Sequence, residues 1–212
     1  MTEKVALITG ASRGLGAALA EALAPTHHII AVARTIGALE ELDDRIKAKG
    51  GQATLAPMDV TKADAMQHLC LNIHERWGGV SLWAHTAVHA APLAPAYMIN
   101  DKDWAASVEA NLNAFRRMIT YVTPLLGTDG TALFFDDPIP GTKFSASYGA
   151  SKAGQMALAR AWALESARTG PKVVIETPPP MPTALRARFY PGETRSKLAD
   201  PHAVAAEMIS KL

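Results

Sequence analysis

Val5-Ala6-Leu7-Ile8-Thr9-Gly10-Ala11-Ser12-Arg13-Gly14-Leu15-Gly16 is a short apolar run that breaks into a glycine-spaced loop. Val5 to Thr9 is too short for a helix and is bounded by Gly10, so it reads as a buried strand. Ala17 to Ala24 is alanine-rich and should be helical, stopping before Pro25. Strand, glycine loop and helix in that order suit phosphate binding. Glycines permit positive φ and close approach of a phosphate. The helix that follows offers unpaired amides and a partial positive charge. The competing reading is a plain strand-to-helix turn, and the flanking strand and helix weigh against it. The loop makes Gly10, Ser12, Arg13, Gly14, Leu15 and Gly16 candidate cofactor-binding residues.

The same alternation continues downstream. Ile29–Ala33, Ala53–Pro57, Val80–Ala84, Thr131–Phe135 and Lys172–Thr177 read as further strands. Leu39, Leu42 and Ile46 recur at helical spacing, as do Met66, Leu69, Cys70, Ile73 and Trp77. A long helix is expected from about Asp103 to Leu126, with an interruption near Asn111 to Asn113. Another carries Tyr148 through Ala167, and a last one spans Ala203 to Leu212. Four prolines between Pro178 and Pro182 exclude helix interior there. From 178 to 200 the chain reads as a substrate loop with a short helix near Leu185. Alternating strands and helices predict an α/β fold: a Rossmann-type, doubly wound parallel sheet of about six strands with helices on both faces. No repeat or linker divides the 212 residues, so a single domain, 1–212, is expected.

Composition narrows the function. Net charge is +1, which gives no footprint for nucleic acid or an anionic membrane surface. No apolar run is long enough to span a bilayer. Met1 to Lys4 is charged and leads straight into a strand, so no signal peptide is expected. Cys70 is the only cysteine, so no intramolecular disulfide can form, which fits a cytoplasmic location. Ser210-Lys211-Leu212 matches a peroxisomal address; a helix end that spells those letters is the preferred reading. His85 and His89 lack a third ligand partner, so no metal site is expected. Trp77, Trp83, Trp104 and Trp162 read as packing residues, and Cys70 as an inert buried thiol.

Tyr148-Gly149-Ala150-Ser151-Lys152 places a phenol and an ammonium on one helix face, roughly 6 Å apart. A cation that close is expected to lower the tyrosine pKa from about 10, readying it for proton exchange.

Taken together, these motifs resemble the short-chain dehydrogenase/reductase family across almost the whole chain. The resemblance implies a Rossmann fold and hydride transfer between NAD(H) or NADP(H) and a small-molecule carbonyl or alcohol. Gly10, Gly14 and Gly16 match its cofactor loop. Asp59 and Val60 match the adenine contact, and Ala87 lies in the segment that follows the fourth strand along the cofactor. Tyr148 and Lys152 match the catalytic pair, with Lys152 also holding the nicotinamide ribose. Asn111 matches the asparagine that orders a relay water, and Thr183 the threonine that contacts the nicotinamide carboxamide. Arg34 stands at the end of the second strand, where an acidic residue would repel a 2′-phosphate. With Arg13 it forms a pair suited to that phosphate, so NADP(H) is favoured over NAD(H).

Several positions depart from the family pattern. The serine expected after the fifth strand is missing. Counting along the chain puts its place at Phe135 or Asp137, in the run Phe134-Phe135-Asp136-Asp137-Pro138. An ionised carboxylate there cannot donate a hydrogen bond and would raise the Tyr148 pKa. Ser145 and Ser147 read as polar residues of a helix start. His85-Thr86-Ala87-Val88 replaces Asn-Asn-Ala-Gly, and Pro178-Pro179 replaces Pro-Gly. The seventh strand of the family is not found, which leaves a homodimer through the long helices as the expected assembly. The alternative to an active enzyme is a weak or inactive nucleotide-binding protein acting as sensor or interaction partner.

Overall fold

A computed structural model describes residues 4–212; Met1 to Glu3, part of the charged stretch read above, lie outside the described residues. Its centre is a six-stranded, all-parallel sheet: β1 (Val5–Thr9), β2 (His28–Ala33), β3 (Gln52–Pro57), β4 (Leu82–His85), β5 (Thr131–Phe135) and β6 (Lys172–Glu176). The strand order is β3-β2-β1-β4-β5-β6. β1 and β2 are buried at every position, as expected of strands covered on both faces.

Among the described residues, eight α-helices connect and cover the strands. They are α1 (Gly14–Leu23), α2 (Ile36–Ala48), α3 (Ala63–Trp77), α4 (Asp101–Val108), α5 (Ala114–Leu126), α6 (Ala146–Ser166), α7 (Ala184–Phe189) and α8 (Pro201–Ile209). Two apolar layers result. Leu19 and Leu23 of α1, Leu39, Leu42 and Ile46 of α2, and Val204 and Met208 of α8 pack with Ile8 and Ala31 on one face. Met66 and Ile73 of α3, Phe115, Met118 and Val122 of α5, and Met156 and Trp162 of α6 pack with Leu7 and Trp83 on the other. Trp83, Phe115, Phe134 and Trp162 form a chain of ring contacts, with centroids 4.8 to 6.3 Å apart. Trp104 differs: it is 43% exposed on α4 and does not belong to this packing. Cys70 is buried, and burial pushes its thiol up to about 12.

The helix expected over 103–126 runs from Asp101 to Leu126, with a π-helical turn at Glu109–Asn113 between α4 and α5. π turns cluster at functional sites, and this one carries Asn111. Helix ends differ from the sequence reading by a few residues. α1 starts inside the glycine loop at Gly14, and α8 spans Pro201–Ile209, with Asp200 capping it by accepting from the amides of His202 and Ala203. The prolines of 178–182 form an irregular segment that leads into α7.

Strand order reverses between β1 and β4, the point where ligands bind in such sheets. Thr9 at the end of β1 lies in register with His85 at the end of β4 and with Val32 on β2. The glycine loop and the segment after β4 therefore meet at the carboxyl edge.

Candidate active site

The glycine loop is closed against its neighbour. Gly10 and Gly14 have φ of 89° and 57°, in the region that favours glycine. A Cβ on Gly10 would sit 2.5 Å from the Ala87 amide nitrogen. On Gly16 it would sit 2.4 Å from both the Gly10 carbonyl oxygen and Thr86 Oγ1. Thr86, which sequence reasoning did not single out, fastens the two segments: its hydroxyl lies 2.9 Å from the Thr9 carbonyl oxygen and 3.1 Å from that of Gly10. Its one signal in the sequence is a hydroxyl residue placed directly after a strand.

The first-turn amides of α1 have no side-chain cap from Arg13, the residue before the helix. Such amides are open to an anion. Ser12 and Leu15 are half-buried beside them. The amides of Gly10 and Ala11 both donate to the Val32 carbonyl, at 2.9 and 3.1 Å, which ties the loop to the end of β2. Arg34 follows two residues after Val32. Arg13 and Arg34 are exposed and take part in no ion pair among the described residues. Asp59 Oδ1 accepts from the Thr61 amide and hydroxyl at 2.9 Å each, which fixes the turn that carries Val60. Thr183 caps α7 by accepting from the Arg186 amide, and its methyl would lie 3.2 Å from a Cβ on Gly14. The residues fit a dinucleotide: glycines at 10 and 16 where a Cβ would clash, uncapped first-turn amides, and two guanidinium groups without an ion pair among the described residues.

Tyr148 and Lys152 are both buried on α6, 2% and 7% exposed, but they do not engage each other. The Tyr148 hydroxyl donates to Asp137 Oδ2 at 2.7 Å. Lys152 Nζ donates to Gln155 Oε1 at 2.5 Å. The pKa lowering expected from the lysine is therefore corrected. Burial first, then the Asp137 carboxylate, push the Tyr148 pKa well above its ordinary value. This agrees with the effect anticipated for an aspartate at that place. Gln155 was missed, although it stands three residues after Lys152 on the same helix face. Ser145 does not replace the missing serine, since its hydroxyl is held by the carbonyls of Ile139 (3.1 Å) and Thr142 (2.8 Å) at the start of α6.

Burial holds the Lys152 amine down to about 8, against 10.5 in the free side chain. Compared with the unfolded chain, the folded chain shifts the balance toward the neutral amine, although the ammonium still predominates at pH 7. The cost of burying the charge is complete below pH 8 and fades as pH rises to 10.5, where the unfolded chain is neutral too. From pH 7 to pH 10.5, wild type should therefore gain on the order of 3 kcal/mol of stability relative to Lys152→Met. Denaturant melts at both pH values check this; a difference that does not change with pH would contradict it.

Asn111 clamps the segment after β4 to α6. Its Oδ1 accepts from the His89 amide at 2.7 Å, while Nδ2 donates to the His89 carbonyl at 2.9 Å and to Ser151 Oγ at 3.0 Å. His85 lies buried, with Nδ1 2.7 Å from Thr9 Oγ1. Burial first, then the Lys152 charge, lower its pKa to about 3, so the ring is neutral. Among the described residues, His85 Nε2, His89 Nε2 and Gln155 Nε2 are buried without a partner. Such atoms are costly to leave unpaired, and a polar ligand or water would satisfy them. Val88 packs against the Tyr148 side chain's apolar cluster with Ile139 and Phe189.

The short chain dehydrogenase family profile matches residues 4–194. Among curated relatives, 3beta-hydroxysteroid dehydrogenase 1 of Eggerthella lenta is 31% identical over 213 residues, covering 96% of this chain and 77% of the relative. Among solved structures, an actinorhodin polyketide ketoreductase with NADPH superposes with TM-score 0.87 at 24% identity, over 99% of this chain and 90% of the other. Carveol dehydrogenase from Mycobacterium avium in complex with NAD gives 0.85 at 20%, over 97% and 89%. At those identities the two structures speak to the fold.

Proposed function

Because the chain belongs to the short-chain dehydrogenase/reductase family, we propose that it is an NADP(H)-dependent oxidoreductase acting on a carbonyl or alcohol carbon, with Tyr148 exchanging the proton. One observation carries the reading. The buried amine of α6 and the glycine loop after β1 both lie beside the end of β4, next to the switch point. Lys152 acts electrostatically on His85, and Ala87, two residues on, touches Gly10. When bound, the nicotinamide supplies the two-electron exchange with the substrate carbon. The uncapped amides of α1 would hold the pyrophosphate, Asp59 and Val60 would face the adenine, and Thr183 the nicotinamide. Tyr148 stays protonated at neutral pH, so it starts out in the form that donates to a carbonyl oxygen, while its raised pKa makes it a weaker acid than a free phenol. A panel of carbonyl compounds with NADPH tests the proposed activity, and absence of turnover on all of them would count against it.

A second reading is favoured by Asp137. It occupies the Tyr148 hydroxyl where the family presents a serine to substrate, which suits a nucleotide-binding protein with little turnover. Tight NADPH binding without turnover would select it.

The choice of NADP(H) rests on Arg13 and Arg34. Two charge-assisted contacts to a 2′-phosphate are worth enough that the Arg13→Ala/Arg34→Ala double variant should bind NADPH about tenfold or more weaker. NADH affinity should hardly change. Fluorescence titration with both nucleotides measures this, and equal losses for the two would assign the arginines elsewhere. A homodimer through α5 and α6 is in keeping with the outward-facing Ala150, Ala153, Ala157 and Leu164 on α6.

A further inference from the structure

Asp137 is a half-buried carboxylate that makes no direct ion pair among the described residues, and the Lys152 and Arg186 charges act on it only from a distance. It accepts from the Tyr148 hydroxyl at 2.7 Å and, through Oδ1, from the Ile139 amide at 2.9 Å. Neither donor is a cation. The charged groups nearby point their hydrogen bonds elsewhere. Asp136 pairs with Arg160. Arg186 forks onto Glu193 with contacts of 2.6 and 2.7 Å. Lys152 points its amine at Gln155. Asp137 forms no ion pair among the described residues. The Tyr148 ring beside it sits in an apolar cluster of Ile139, Phe189, Val88, Ala90 and Leu185, with the Phe189 centroid 4.9 Å away. A carboxylate at the edge of such a cluster gains from a cation that pairs with it directly.

The same carboxylate is unfavourable for a simple ketone. A carbonyl oxygen gaining negative charge at the Tyr148 hydroxyl would do so beside Asp137. A positive group on the neighbouring carbon removes that conflict, because it pairs with Asp137 while the oxygen faces Tyr148. The spacing fits. Nitrogen and oxygen on adjacent carbons, in the gauche arrangement, lie about as far apart as a hydrogen-bonded pair, and Asp137 Oδ2 and Tyr148 Oη are such a pair.

Building on the oxidoreductase reading above, we propose that the substrate is a vicinal amino alcohol or the matching α-amino ketone. Its ammonium binds Asp137 and its oxygen faces Tyr148, with an apolar substituent against Phe189 and Ile139. Asp137 is then the residue that sets substrate specificity.

The test uses a matched pair that differs only at the charged group: 2-amino-1-phenylethanol and 1-phenyl-1,2-ethanediol. Each is titrated calorimetrically into the NADP-saturated protein. The ammonium compound should bind about tenfold or more tighter than the diol. In Asp137→Asn, which keeps the side-chain shape, that preference should vanish, and Asp137→Ser should behave alike. Thermal melts confirm that both variants are folded. Equal affinity for the two compounds in wild type, or a preference that survives in folded Asp137→Asn, would overturn the proposal. The oxidoreductase reading fails separately, on absence of turnover across the carbonyl panel or of NADP binding. In that case the same titrations without nucleotide still decide whether Asp137 selects the cation.

Discussion

Tyr148→Phe should lower kcat/KM for carbonyl reduction about 100-fold or more, the usual worth of a positioned proton donor. NADPH affinity, read by fluorescence, should stay within about threefold, because the phenol is asked to serve the substrate oxygen. The fold should tolerate the change, since the ring and its contact with Phe189 remain. What is lost is the hydroxyl that donates to Asp137. Wild-type turnover in the variant would remove Tyr148 from the chemistry. A matching fall in NADPH affinity would make it a binding residue instead.

The second large effect concerns the glycine loop. Gly16→Val adds atoms where a Cβ alone would lie 2.4 Å from the Gly10 carbonyl oxygen. That neighbour is backbone at a buried turn and cannot rotate away. Overpacking of this kind costs about 1–3 kcal/mol and occasionally more. It also pushes apart the segments that Thr86 joins, so NADPH binding should be lost even where the protein still folds. Gly37→Ala is the control. Gly37 lies in the first turn of α2 with nothing within 4 Å of its would-be Cβ. Alanine there should be neutral or stabilising by about 0.5 kcal/mol. Chemical melts and nucleotide titrations of the two variants measure the contrast. Unchanged NADPH binding in Gly16→Val would sink the account of the loop.

The sheet was legible because each strand is a short apolar run bounded by turn residues, and Thr131–Phe135 has the same limits in sequence and structure. The break near Asn111 was legible as an interruption but not as a π turn, because that choice is settled by the clamp Asn111 makes to His89 and Ser151. Helical spacing gave the placement of Tyr148 and Lys152 on α6 correctly. It gave their electrostatics incorrectly, since a spacing of four residues says nothing of what arrives from elsewhere. Asp137 comes to the phenol from the loop after β5, and burial outweighs any pairwise charge effect on both groups. Gln155 was within reach of the periodicity argument. A neutral amide attracts no notice in a search for ionisable partners. Thr86 was hidden for a similar reason, as its role depends on the contact between two strand ends distant in sequence.

The π turn at Glu109–Asn113 has a bearing on how this chain can vary. Such a turn is equivalent to one residue inserted into an α-helix. Each residue advances the helix by about 100°. Closing the turn by deleting one residue would thus swing all of α5 by that angle. Phe115, Met118, Val122 and Leu126, now turned into the core, would leave it together. The insertion is consequently locked by everything that follows it. A change of chain length is therefore tolerated less between Asp101 and Leu126 than in the irregular segments outside it.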